Sequence, residues 1–382
     1  MLAIETRQEH PTEDSYALEF QSGERQVRGQ GPPAFTLSLT DEEQFRRILN
    51  GDDYAVALAF IQGKFDVQGD LAAALRFKRR HSRKRFPKFL RLAGHWVPAR
   101  LESWFQTRRR AAENIRFHYD VSNEFYQNFL DSRMVYSAAC FEDPDWTLEQ
   151  AQAARLNQIC EHLDLRPGDR FLDVGCGWGG LLTHAAAYYK VYAVGCTLSH
   201  KQFEYVSKLI GRRGLEKRAT VVESDYRNLS QRFNKIASIG MFEHVGKHRL
   251  GNYFRKMHDL LEPGGLFLNS GVTRPENVAD DAETLFLLRK VFPGGELARL
   301  VEVVREVELA GFHLLKMESL REHYARTCRS WVERLQQTRL SSLRLVGQET
   351  YRTWLLYLAA SAISFETGRT DVFSVLTSKY AS

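Results

Sequence analysis

Asp173-Val174-Gly175-Cys176-Gly177-Trp178-Gly179-Gly180 directly follows the apolar pair Phe171-Leu172 and runs into Leu181 to Tyr189, a stretch that reads as a helix. A strand that breaks into a turn with glycine at alternate positions lets backbone approach a ligand that any Cβ would block. Strand, glycine turn and helix is the layout in which an open α/β sheet binds a nucleotide-like ligand at the carboxyl ends of its strands. The glycines at 175, 177, 179 and 180 do not fit G-x-G-x-x-G, and no Lys-Ser/Thr pair follows for a phosphate-cradling loop. The turn therefore predicts close backbone approach to a ligand and matches neither phosphate-binding motif.

Outward from this turn the pattern alternates. A helix is expected over Glu149–Leu163, a break at Pro167-Gly168, then strands at 170–174, 191–195, 220–223, 236–240 and 266–269. Helices are expected at 199–213 and about 248–261 between them. Such alternation predicts a parallel, doubly wound sheet. Beyond Gly271 come a stretch at 274–295 that reads as an insertion, with a Phe292-Pro293-Gly294-Gly295 turn, and two long helices at about 322–340 and 343–367.

Upstream, residues 35–77 read as a small α+β unit with a core of its own. Phe35-Thr36-Leu37-Ser38-Leu39 is a strand, Asp41 and Asp70 open helices, and Gly51-Asp52-Asp53 turns. The expected organisation is an N-terminal lobe (1–77), a basic amphipathic linker (78–112) and a main domain (113–382).

Charge is distributed unevenly. Residues 76–110 hold thirteen Lys/Arg against the single acid Glu102, a balance of +12 in a chain whose net charge is +6. Interleaved Phe77, Phe86, Phe89, Trp96, Trp104 and Phe105 suit an anionic membrane surface, where each Lys/Arg contributes about 1 kcal/mol. Nucleic acid and a solvated basic helix are the competing readings of this stretch alone. No apolar run approaches the roughly 18 residues that span a bilayer, and the polar start lacks the apolar core of a signal peptide. The five cysteines form no C-x-x-C pair, so neither a metal site nor a disulfide framework is expected, and the chain reads as cytoplasmic.

D-x-G-x-G-x-G resembles the first motif of S-adenosylmethionine (SAM) methyltransferases. Further stretches, in order, resemble the cyclopropane fatty acid synthase and mycolic-acid methyltransferase family: His118-Tyr119-Asp120-Val121-Ser122-Asn123-Glu124-Phe125-Tyr126, Tyr136-Ser137, Thr197-Leu198-Ser199 with Gln202, and Asp225-Tyr226-Arg227. They continue with Gly240-Met241-Phe242-Glu243-His244-Val245-Gly246, Phe292-Pro293-Gly294-Gly295 and His323-Tyr324-Ala325-Arg326-Thr327. Any one is weak; their joint order is specific and covers about two thirds of the chain. The lobe resembles the N-terminal lobe of the bacterial synthases more loosely.

The resemblance implies a Rossmann-like SAM-methyltransferase sheet with C-terminal helices, and SAM as cofactor. The implied contacts are Tyr136 and Ser137 at the methionine end, Asp173, Gly175 and Gly177 at the turn, and Thr197, Leu198 and Gln202 at the ribose. Asp225 would accept from the adenine amino group with Tyr226 against the ring. Glu243, Tyr324 and His244 are the implied catalytic residues. Family members hold a bicarbonate through a Cys, a Glu, a His and a Tyr. Here Glu243 and Tyr324 match, but Ala138 and Ser270 stand in the other two positions, so bicarbonate loses two anchors and ring closure is in question.

The implied reaction is C-methylation of the double bond in unsaturated acyl chains of phospholipids, through a carbocation, to a methyl-branched or cyclopropane product. Expected partners are an anionic phospholipid surface on the inner membrane face and no nucleic acid, and the resemblance leaves room for a homodimer. An N-methyltransferase of a small amine and a silent lipid-binding homologue are the alternatives.

Overall fold

The computed structural model describes residues 15–81, 122–278, 291 and 296–380. The basic stretch beyond His81, His118 to Val121 of the first family motif and the Phe292 to Gly295 turn lie outside the described residues.

The N-terminal lobe is a four-stranded sheet in the order β2-β1-β3-β4, formed by β1 (Tyr16–Phe20), β2 (Arg25–Arg28), β3 (Phe35–Leu39) and β4 (Asp66–Gly69). Along β3, Phe35, Leu37 and Leu39 are buried while Thr36 and Ser38 are not, the period-2 pattern of a sheet covered on one face. Helices α1 (Glu42–Asn50), α2 (Asp53–Ile61) and α3 (Leu71–His81) cover that face. Each opens on an aspartate accepting from a backbone N–H: Asp41 from Gln44, Asp52 from Ala55 and Asp70 from Ala73.

The lobe does not close over a core of its own. Phe35, Phe60 and Phe77 belong to one continuous buried cluster with Phe125, Trp331, Trp354 and Phe365. Arg352, 6% exposed, donates from Nη1 to the carbonyls of Phe60 and Phe65 at 2.9 Å and pairs with Asp66 at 3.2 Å. Arg76 reaches Glu366 at 2.9 Å from the other side. These cross-links are invisible to a reading of local periodicity.

The main sheet runs β11-β12-β9-β8-β5-β6-β7: β5 (Arg170–Val174), β6 (Tyr192–Thr197), β7 (Ala219–Glu223), β8 (Phe233–Ile239), β9 (Leu261–Arg274), β11 (Phe312–Ser319) and β12 (Asp371–Lys379). The short β10 (Ala298–Arg299) pairs with β9. The helices that accompany it are α4 (Asn123–Gln127), α5 (Leu148–His162), α6 (Gly180–His184), α7 (His200–Arg212), α8 (Leu250–Leu260), α9 (Leu300–Leu309), α10 (Arg321–Gln337) and α11 (Arg339–Glu366). Both faces are covered: Phe171, Leu182 and Val206 lie in one buried cluster, Leu172, Val174, Phe254 and Phe267 in another.

The sheet is not wholly parallel. β12 pairs antiparallel with both β9 and β11, and neither β11 nor β12 is evident from apolar pattern. β12 buries Ser374 and Thr377, the latter donating to the Phe267 carbonyl at 3.1 Å, while edge strand β11 buries only Phe312.

From β5 the chain steps outward to β6 and β7, then returns to β8 on the other side of β5. That reversal opens a crevice above the carboxyl ends of the parallel strands. Among the described residues no helix is long and apolar enough to cross a membrane.

Candidate active site

The crevice holds a cavity of about 730 Å³, within the range of small-molecule sites. All ten residues expected at the cofactor line it: Tyr136, Ser137, Asp173, Gly175, Gly177, Thr197, Leu198, Gln202, Asp225 and Tyr226. His244 lines it as well. Glu243 and Tyr324 do not.

The floor is the turn after β5. Gly175, Gly177 and Gly179 all have positive φ (73°, 53° and 78°), and a Cβ built on Gly177 would meet no protein atom within 4 Å. That absent side chain leaves room for a ligand, not for neighbouring protein. Asp173 is 3% exposed and its Oδ2 has no hydrogen-bond partner. Desolvation pushes its carboxyl up to about 7. An orphaned acceptor in the floor fits a cofactor with an ammonium and a sulfonium.

The wall opposite is residues 131–141, held from three sides. Asp131 accepts from the backbone N–H groups of Arg133 (3.1 Å) and Val135 (2.8 Å), fixing the turn into Tyr136-Ser137. Gln152 of α5, fully buried, donates to the Ser137 carbonyl at 3.0 Å. Thr327 and His323 of α10 accept from the N–H groups of Ala139 and Phe141, both at 3.1 Å. The family stretch at 122–126 buttresses this wall: Asn123 accepts from the Trp178 indole at 2.8 Å, and the Tyr126 ring packs on both Trp178 and Tyr136. Asp131 and Gln152 were not expected as site residues, since nothing local marks a buried acid or amide as a positioning group.

At the end of β6, Thr197 donates to Gln202 Oε1 at 2.8 Å. Gln202 thereby uses its carbonyl internally and offers the cavity its amide NH2, a donor suited to ribose oxygens. After β7, Asp225 is held by the Arg227 guanidinium and backbone N–H.

Glu243 follows β8, one layer behind the cavity wall. Its Oε1 accepts from the Val272 N–H at 2.6 Å, and its Oε2 is buried without a partner. The carboxylate lies flat on β9 because Gly271 has no side chain; a Cβ there would sit 2.8 Å from Oε2. Desolvation outweighs the Val272 contact and pushes the carboxyl up to about 7. Burial of the His244 ring pulls that imidazole down to about 4, so it is neutral at neutral pH. Tyr324 stacks on Phe365 and stands edge-on to Trp331, whose other side meets Tyr136 at 5.1 Å between ring centroids. One aromatic ring thus separates Tyr324 from the cavity wall.

Ala138 and Ser270 are both buried. Behind Ser270 sits Arg155, 1% exposed, whose Nη2 lies 3.5 Å from Ser270 Oγ and Ser374 Oγ. Cys140 is buried, and burial raises its thiol, so it is a neutral group.

The Asp173 carboxyl sets a pH dependence. Below about 7 it is protonated and neutral, and above that it carries the charge that favours a cationic ligand. SAM affinity should therefore rise from pH 6 to pH 8, with a proton released on binding near neutrality. Calorimetry in buffers of different ionisation enthalpy measures that release, and Asp173→Asn should abolish it.

Residues 106–375 match the family described as mycolic acid cyclopropane synthetase. The chain is 37% identical over 355 residues to a probable fatty acid methyltransferase of Pseudomonas putida, an alignment covering 91% of this chain and 88% of the relative. Among solved structures it resembles the cyclopropane synthase MmaA2 from Mycobacterium tuberculosis, with a TM-score of 0.68 and 33% identity over 70% of this chain and 98% of the other. It also resembles the mycolic acid cyclopropane synthase CmaA1 complexed with SAH and CTAB, with the same TM-score, identity and coverage.

Proposed function

The chain belongs to the mycolic acid cyclopropane synthetase family and is a SAM-dependent methyltransferase; from that premise we propose that it methylates the double bond of unsaturated fatty acyl chains in membrane phospholipids. The observation that carries the reading is Glu243: a buried carboxylate with one unpartnered oxygen, held against a glycine, immediately behind the cofactor cavity. A soluble amine sheds its proton to solvent before or after methyl transfer, so it does not require a carboxylate buried away from water. A carbon–carbon double bond leaves positive charge on the chain as it reacts, and a preorganised carboxylate in a dry site opposes it.

Bound SAM supplies the methyl group as an electrophile. Asp173 and the glycine turn hold its amino-acid end, and Thr197, Gln202, Asp225 and Tyr226 its nucleoside. Glu243 stabilises the cation that develops on the acyl carbon from behind the cavity wall, and the proton that leaves reaches its unpartnered Oε2 along a hydrogen-bonded water path. With Ala138 and Ser270 in place of Cys and His, nothing fixes a base on the new methyl group, so the proton departs from a neighbouring carbon and the product is a methyl-branched alkene. Bicarbonate should leave the wild-type rate unchanged. Ala138→Cys with Ser270→His should shift product toward cyclopropane and make the rate respond to bicarbonate. The Arg155 guanidinium behind position 270 would keep the new imidazole neutral. A bicarbonate-dependent cyclopropane from the unmodified protein would defeat the diverted outcome.

The acyl chains reach the enzyme at an anionic bilayer surface through the basic segment 76–110. Sedimentation with anionic vesicles should show binding that weakens as salt rises, because screening shortens the reach of surface charges. Replacing Arg79, Arg80, Arg83, Lys84 and Arg85 with Gln should cut it steeply. Salt-independent binding would point to an apolar anchor instead.

A further inference from the structure

Arg227 lies two residues beyond the adenine-facing Asp225 and has no role in the chemistry above. Its backbone N–H and Nε both donate to Asp225 Oδ1, at 2.9 and 2.8 Å, and its Nη2 pairs with Oδ2. The guanidinium also lies 5.7 Å from the Tyr226 ring centroid, and that ring stands edge-on to the buried Tyr253 at 5.6 Å. Both side chains of the pair are largely shielded, Asp225 13% and Arg227 22% exposed. A bidentate guanidinium–carboxylate pair fixes the plane of the carboxylate as well as its charge.

We propose that Arg227 is the positioning residue for cofactor base recognition: it locks Asp225 as an acceptor directed at the adenine amino group and steadies Tyr226 under the ring. The inference rests on the reading that Asp225 meets adenine. A preference follows from hydrogen-bond polarity. Adenine's exocyclic amino group donates to a fixed carboxylate, whereas hypoxanthine presents a carbonyl oxygen at the same position and meets like polarity. Without the Arg227 side chain only the backbone N–H at 227 still holds Asp225 Oδ1, the Oδ2 side is released toward water, and the site's preference weakens.

The test is calorimetric binding of S-adenosylhomocysteine and S-inosylhomocysteine to the wild type, Arg227→Ala and Arg227→Lys. The wild type should prefer the adenosyl compound by about tenfold or more, since a site built to accept a hydrogen bond strongly rejects an analogue lacking the donor. Arg227→Ala should bring the two affinities within about threefold of each other. Arg227→Lys, which keeps the charge but not the fork, should fall between. In turnover, Arg227→Ala should raise the KM for SAM while kcat at saturation stays within about twofold, and Arg227→Lys serves if the alanine variant is unstable. Discrimination that survives unchanged in both variants overturns the role of Arg227 and leaves Asp225 in place. A wild type that binds both compounds equally removes the Asp225–adenine contact itself, and the proposal with it.

Discussion

Glu243→Gln should lower turnover by two to three orders of magnitude while SAM affinity changes little. A carboxylate a few ångströms from a developing cation in a dry site contributes several kcal/mol, and each ~1.4 kcal/mol is a factor of ten in rate. The amide keeps the shape and the Val272 contact but carries no charge. Wild-type turnover should itself rise with pH and level off above about 7, where the buried carboxyl is ionised; well below that midpoint it should approach the Gln variant, falling about tenfold per unit. Unfolding is not the explanation for the loss. A carboxyl whose folded-state midpoint is raised gives stability that is present below the ordinary carboxylate range and lost as pH rises through about 7. The Gln variant should therefore be no less stable than wild type at pH 8, measured by thermal unfolding. Turnover within threefold of wild type would remove Glu243 from the reaction.

Gly177→Val should weaken SAM binding by about two orders of magnitude or more while the fold persists. The residue has φ of 53°, so a β-branched side chain there is strained by about 1–2 kcal/mol. Its Cβ meets no protein atom, so the new side chain projects into the cofactor cavity. Gly214 is the matching control: its φ is 63°, its Cβ is equally unopposed, and it does not line the cavity. Gly214→Val should cost similar stability and leave SAM affinity intact. Equal affinity in the two variants, by calorimetry, would dissociate the glycine turn from the cofactor.

The parts of this molecule that were readable in advance are those written locally. The strand–glycine–helix turn at 171–189 needs only positive-φ residues after an apolar strand. Thr197 at the end of β6, Gln202 in the first turn of α7 and Asp225 just past β7 are implied by the family resemblance, and all three line the crevice. Strands β1 and β2 carry no clear local signal because their sequences mix charge with apolar residues, and β12 carries none because it buries hydroxyls that are satisfied only once β9 lies beside it. The shared core fails to show for the same reason: Arg352 reads as a surface charge on α11 until the Phe60 and Phe65 carbonyls arrive from a lobe almost three hundred residues away. Asp131, Gln152 and Arg155 are likewise polar residues whose burial is decided by their partners, not by their neighbours in sequence. Glu243 and Tyr324, which the resemblance implies are catalytic, stand one layer behind the cavity wall. Glu243 is placed there by Gly271 and Val272, and Tyr324 by its stacking on Phe365.

The central claim is tested most directly with SAM carrying a fully deuterated methyl group, purified protein and vesicles of unsaturated anionic phospholipid, followed by mass spectrometry of the released fatty acids. Transfer to the double bond predicts label in the acyl chain, and the diverted outcome predicts that all three deuterons are retained, because the departing proton comes from the chain. Retention of only two would mean that the new methyl group was deprotonated, to a ring or to an exocyclic methylene that hydrogenation sparing the ring tells apart, contradicting the role assigned to Ala138 and Ser270. An acyl chain without label, from protein that binds SAM, would contradict the account as a whole.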